Sequence, residues 1–175
     1  MKTIRSKIIV FGSILLILII GILFITQSMI GNELYQVTNY NDFNFRLDFG
    51  YGGDQIDTYN NTFTKDLIID GSITIDFVIP ESIKKDVFEI MREIDIMSYP
   101  DKLTEYDIIP PCSYKLEVTI NKKIKTIVWK QAPPAISDLG TKKEKEFLRL
   151  VKYVEDYIIS TDEYKSLPEA HGFFE

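Results

Sequence analysis

Phe43-Asn44-Phe45-Arg46-Leu47-Asp48-Phe49 alternates strictly between apolar and polar residues, and the fold class turns on this stretch. Successive side chains of an extended chain point to opposite faces, so a period of two puts the apolar residues on one side. The polar residues Asn44, Arg46 and Asp48 then lie on the other. A strand with one dry face and one wet face belongs to an antiparallel sheet covered on a single side. Gly50-Tyr51-Gly52-Gly53 follows and supplies the backbone freedom of a turn.

Beyond that turn a weaker strand, Gln55 to Tyr59, leads to Asn60-Asn61, and another strand runs from Thr62 to Ile69. Asp70-Gly71 between alternating runs is a hairpin signal, and Ile73, Ile75, Phe77 and Ile79 alternate with Thr74, Asp76 and Val78 after it. Pro80 closes that strand. Ile83, Val87, Ile90, Ile94 and Met97 then change to the spacing of one helical stripe. Lys84, Lys85, Glu89, Arg92 and Glu93 form its solvated face, and Tyr99-Pro100 is expected to stop it.

An irregular stretch from Asp101 to Pro111 precedes two strands, Tyr114 to Ile120 and Ile124 to Trp129, joined near Asn121-Lys122. A two-residue loop sets Leu116 opposite Ile127 and Tyr114 opposite Trp129; a three-residue loop shifts that register, and the sequence leaves both open. Pro133-Pro134 ends the ribbon. Thr141 and Glu144 have the S/T-x-x-E spacing of a capping box, followed by the apolar stripe Phe147, Leu150, Val151, Val154 and Ile158. Hairpin-linked strands with few helices predict an α+β two-layer domain over residues 43–160, an antiparallel sheet of about five strands covered by two helices. Residues 32–42 read as a connector and 161–175 as a C-terminal tail. Trp129, ending a strand that both helices must cover, is expected in the core.

The first 31 residues differ in kind. From Ile8 to Ile25 run eighteen consecutive uncharged residues, fifteen of them Ile, Leu, Val or Phe. As a helix this stretch would reach about 27 Å, close to the hydrocarbon thickness of a bilayer. The nearest cleavage-like site, Thr26-Gln27-Ser28, lacks the small A-x-A pattern of a signal peptide, which favours an uncleaved N-terminal transmembrane helix over secretion after cleavage. Lys2, Arg5 and Lys7 precede the run, and basic residues stay on the cytoplasmic side. The expectation is a single-pass signal anchor over residues 1–31 in the lipid bilayer, with the domain extracytoplasmic.

Those three cations leave 17 basic against 26 acidic residues in the remainder, a formal charge of −9. Nucleic-acid binding needs a basic face that displaces counterions from phosphates, so that class is disfavoured. Cys112 is the sole cysteine, and no intrachain disulfide is possible.

Several short motifs stand in a characteristic order: Asn61-Thr62-Phe63-Thr64-Lys65-Asp66-Leu67, Glu93-Ile94-Asp95 with Tyr99-Pro100-Asp101, Tyr114-Lys115-Leu116 with a later Trp129, and Tyr164-Lys165-Ser166-Leu167-Pro168. In these the chain resembles a group of uncharacterised small proteins, membrane-anchored or lipoprotein-like, from low-GC Gram-positive bacteria. The resemblance spans about Phe43 to Pro168 and implies an extracytoplasmic domain in a bacillus-like cell. It brings no catalytic residue.

Chemistry-bearing residues are sparse. A cysteine nucleophile needs a histidine to take its proton, and the only histidine, His171, lies close to the C-terminus. One histidine also falls short of the usual zinc sets. Asp54, Asp57, Asp66, Asp70 and Asp76 fall in one region and are weak candidates for calcium ligation, although no EF-hand pattern is present. Among the early aromatics, Tyr51 and Tyr59 sit near turns and are the candidate surface binding residues. Neither a P-loop nor a dinucleotide fingerprint occurs, and no cofactor is implied. The sequence therefore points to a non-enzymatic membrane-anchored module binding a protein or cell-envelope component. An envelope hydrolase using carboxylates and a small inhibitor or immunity protein are the alternatives.

Overall fold

The computed structural model describes residues 40–51, 53–107, 112–133 and 140–172. After a 3-10 turn at Tyr40–Asp42 come β1 (Asn44–Phe49), β2 (Asp54–Asp57), β3 (Thr62–Asp66) and β4 (Ser72–Asp76). Helix α1 (Glu81–Glu93) follows, then β5 (Cys112–Ile120), β6 (Lys123–Ala132), α2 (Lys142–Ser160) and the single turn α3 (Asp162–Lys165). The strands form one antiparallel sheet in the order β4-β3-β2-β1-β5-β6.

Two corrections to the sequence reading follow. The sheet has six strands rather than about five. The weak strand expected at Gln55 to Tyr59 lies at Asp54–Asp57, where β1 on one side and β3 on the other hydrogen-bond it into the sheet. The expected transmembrane helix is not part of the fold described: no helix among the described residues is long and apolar enough to cross a membrane. The run Ile8 to Ile25 lies outside the described residues.

The period-two strand behaves as its pattern requires, with Phe45, Leu47 and Phe49 buried on the helix side and Asn44, Arg46 and Asp48 half-exposed. Helices α1 and α2 close that side through Val87, Phe88 and Met91 of the first and Phe147, Leu150, Val151, Val154 and Ile158 of the second. Helix α1 stops earlier than Tyr99-Pro100. It ends at Glu93, where Asp95 takes a left-handed φ of 53° and a 3-10 turn carries Ile96 into the core instead.

At the β5–β6 hairpin the two-residue loop holds. Leu116 faces Ile127 and Tyr114 faces Trp129, with Asn121 and Lys122 at φ 52° and 61° in the mirror-image turn that matches strand twist. Trp129 is fully buried between Tyr114 and Phe147, with ring centroids 6.2 and 6.0 Å away, and its Nε1 donates to the Thr104 carbonyl at 2.6 Å.

The stretch read as irregular does shield a sheet edge. Leu103 N donates to Val128 O (3.1 Å), Val128 N to Asp101 O (2.8 Å) and Tyr106 N to Gln131 O (2.9 Å), so residues 101–106 run along β6. The C-terminal residues also belong to the domain. Tyr164 packs its ring 5.9 Å from Phe63, and His171 exchanges backbone hydrogen bonds with Leu67 and Ile69.

Candidate functional site

Strand β2 separates the two tyrosines that the sequence offers as surface candidates. Tyr51, 50% exposed, stands in the turn before it, and Tyr59, 37% exposed, in the turn after it. They lie at opposite ends of the strand and form no common platform. Tyr59 is tied into the sheet, its hydroxyl 2.8 Å from that of Thr119 and its ring 6.0 Å from the Arg46 guanidinium.

The aspartates divide in the same way. Asp57 is buried and structural: Arg46 donates to Oδ2 through Nε and Nη2 at 2.9 and 2.8 Å, Asn60 Nδ2 adds a third bond, and Tyr59 N donates to Oδ1. Burial alone would raise its pKa, but these donors outweigh it and hold the carboxyl below its usual range. Asp70 pairs with the imidazole of His171 at 3.0 Å, and Asp76 sits exposed on β4. Among the described residues no group of three or more His, Cys, Asp or Glu is placed to hold a metal ion.

Asp54 and Asp66 do come together, in a cavity of about 230 Å³ where the β1–β2 turn, the end of β3, helix α2 and the C-terminal segment meet. Tyr51, Asp54, Lys65, Asp66, Glu155 and Tyr164 supply its polar and aromatic lining. The Asp66 amide donates to Asp54 Oδ1 at 2.8 Å, and the Ile68 amide to Asp66 Oδ1 at 2.8 Å. Gly53 permits this approach: a Cβ there would lie 2.1 Å from Asp66 Oδ2 and 2.3 Å from Asp66 Cβ. Ile68, also on the wall, has a φ of 64°, an uncommon backbone conformation for a β-branched residue. Its neighbours are clamped there by the His171 backbone.

Electrostatics single out two carboxylates in this cavity. Burial, reinforced by the Asp66 carboxylate, pushes Asp54 above its usual range despite the Asp66 amide and Lys65. Glu155 is raised by burial, then by Asp156 and by Asp54 itself. Neither has an ion-pair partner within 4.0 Å among the described residues. Lys65 is the nearby cation, but its ammonium is spent on the Pro168 carbonyl at 2.8 Å and the face of Tyr164 at 4.6 Å. Two acids sharing a desolvated recess favour whatever brings them positive charge or a proton.

Sequence reasoning reached Tyr51, Asp54 and Asp66 and missed Lys65, Glu155 and Tyr164. Glu155 lies beside the apolar stripe of α2 and Tyr164 in the segment read as a tail, so only tertiary packing delivers them. Cys112 is 6% exposed and burial pushes its thiol up, while His171 is engaged with Asp70 and not with the thiol. A larger open groove of about 490 Å³ between α1 and α2 is lined by Glu93, Gly140, Lys142, Lys145, Glu146 and Arg149. Two exposed pairs, Arg149 with Glu93 at 3.2 Å and Lys142 with Glu146 at 3.7 Å, leave only the exposed Lys145 unmatched there, a solvated charge unlike the part-buried carboxylates of the smaller cavity.

Compared with known proteins, the chain matches no protein-family model, no curated protein and no solved structure.

Proposed function

We propose that this domain is a non-enzymatic binding module, held at the outer face of a cell membrane by the apolar run Ile8 to Ile25, that takes a cationic group of a protein or cell-envelope component. The observation that carries the reading is the pair Asp54 and Glu155, both above their usual pKa range in one recess without an ion-pair partner among the described residues. An ammonium or guanidinium entering there relieves their mutual repulsion and meets the rings of Tyr51 and Tyr164. A volume of about 230 Å³ suits one side-chain-sized group. Complete small-molecule sites usually occupy roughly 300–1,000 Å³.

The test is a titration of the full chain in lipid nanodiscs with butylammonium, a lysine-containing peptide and solubilised envelope polymer, followed by amide chemical shifts. Shifts at residues 51–54 and 155, abolished in Asp54→Asn with Glu155→Gln and fading as acid protonates the pair, support the proposal. Indifference to all three probes, or binding that survives the double substitution, defeats it. Location is tested separately by adding protease to intact cells, which should remove the domain from outside.

A second reading, an envelope hydrolase, draws on the same pair. Two carboxyls sharing a recess are the residue types that a carboxylate hydrolase uses as acid and base. Release of soluble fragments from envelope polymer by the full chain, lost in Asp54→Asn and in Glu155→Gln, would favour it over simple binding.

A further inference from the structure

The two edges of the sheet are treated differently. The β6 edge is shielded by residues 101–106, whereas β4 is the terminal strand on the other side, with no strand beyond it among the described residues. Its pairing with β3 sets which backbone groups are free. Phe77 N donates to Asn61 O at 2.8 Å and Leu67 N donates to Gly71 O at 2.7 Å, in the register that also pairs Phe63 with Ile75 and Lys65 with Ile73. The odd-numbered residues of β4 therefore turn their N–H and C=O groups toward β3. Ser72, Thr74 and Asp76 turn theirs outward, and nothing among the described residues hydrogen-bonds to them. The strand contains no Pro, Lys or Arg, the usual guards of an edge.

We propose that β4 is a self-association edge, at which a second copy of this chain pairs antiparallel about a two-fold axis through Thr74. The parity of the free groups permits this register: Thr74 meets Thr74 of the other copy, and Ser72 meets Asp76. Each of these pairs joins residues with outward N–H and C=O groups, so both bonds of every pair form. The side chains agree. On the open face the Asp76 carboxylate stands against the Ser72 hydroxyl instead of another acid, and hydroxyl faces hydroxyl at Thr74. On the helix side Ile73 lies against Ile75, both half-buried already. A slip by one pairing step in the direction that centres the axis on Ile75 brings the two Asp76 residues into diagonal contact, and a two-step slip sets them directly opposite. Charge therefore disfavours slips toward Asp76. The exposed Val78 (70%) and Ile69 (76%) flank the strand, and the same pairing carries Val78 of one copy to the Ile69–Asp70 loop of the other. An isologous contact of this kind closes on itself and gives a dimer, not a fibre.

The experiment is residue-resolved amide exchange on the full chain in detergent at several protein concentrations, with mass followed by sedimentation. Ile73 and Ile75 amides should be protected throughout, whereas those of Thr74 and Asp76 should gain at least tenfold protection only as the dimer forms. Thr74→Pro removes an outward N–H and Thr74→Lys sets like charges on the axis; each gives up the 2.9 Å hydroxyl bond to Thr64 but keeps the backbone bonds to β3, and both should leave a folded monomer. Thr74→Lys is the control should the proline disturb the strand. Unprotected Thr74 and Asp76 amides at every concentration overturn the proposal. So does a dimer that persists in Thr74→Lys, because the apolar run or another surface would then be holding it.

Discussion

Tyr106 donates its hydroxyl to Glu144 Oε2 at 2.9 Å, joining the strap along β6 to the first turn of α2. The same carboxylate accepts from Thr104 N at 3.2 Å and Thr141 N at 2.7 Å, so one 2%-exposed side chain closes the capping box and pins the strap. Burial alone would raise its pKa, but the donors from Thr141, Thr104 and Tyr106 outweigh it and lower the value to about 2.

Stability should accordingly depend on Glu144 in acid. A depressed carboxylate contributes fully above its unfolded value of 4.5, and that contribution drains away as pH falls toward about 2. The difference corresponds to about 3 kcal/mol at neutral pH. Glu144→Gln should lose much of that at pH 7 and flatten the acid limb of a denaturation series between pH 4.5 and 2. An unchanged acid limb in the variant would show that other carboxylates govern it.

The recess carboxylates carry the opposite sign. Asp54 and Glu155 have raised folded pKa values, so their protonated forms are favoured by folding and their ionised forms oppose it as pH rises through those values. Asp54→Asn keeps an oxygen for the Asp66 amide and should be more stable than the parent at pH 7 but not at pH 3. Urea midpoints at both pH values decide this, and a variant destabilised at pH 7 contradicts it.

Trp129 is the only tryptophan and is wholly buried, so its native emission should be blue-shifted and insensitive to iodide. Trp129→Ala removes the ring that Tyr114 and Phe147 pack against and orphans the Thr104 carbonyl, and should cost about 3–5 kcal/mol. Strong native-state quenching would remove the basis for this expectation.

Gly53→Ala should destabilise by roughly 1–3 kcal/mol, because the new methyl meets Asp66 at close range. Asp66→Ala should not rescue it, since Asp66 Cβ is itself 2.3 Å from the added carbon. Asp66→Gly should. A neutral Gly53→Ala measured by chemical denaturation would mean the turn yields freely.

Lys122 holds φ 61° at the second position of the β5–β6 turn, where glycine is unstrained. Lys122→Gly should raise stability by about 0.5–1 kcal/mol while keeping the backbone bond to Asp42. A drop in thermal midpoint would count against the turn geometry.

Much of this architecture was legible in the residues. Phe43 to Phe49 announced a one-sided strand, Thr141 and Glu144 a helix start, and Asn121-Lys122 a hairpin whose register the sequence left open, because side-chain periodicity and capping act over a few residues. Trp129 could be assigned to the core for the same reason. Local pattern also marked Tyr51 for its place near a turn, and Asp54 and Asp66 as part of a cluster of acids read as weak calcium candidates.

Tertiary contacts decided the rest. The bounds of β2 follow from the β1 and β3 that flank it, the strap 101–106 from the free edge of β6, and the place of Tyr164 and His171 from Phe63 and the Leu67–Ile69 loop that receive them. The convergence of Asp54 with Glu155, 101 residues apart in the chain, belongs to this class as well. Periodicity reports how a segment divides itself between water and core. It carries no record of which distant segment shares that core, and the unmet charge of the recess arises only from that meeting.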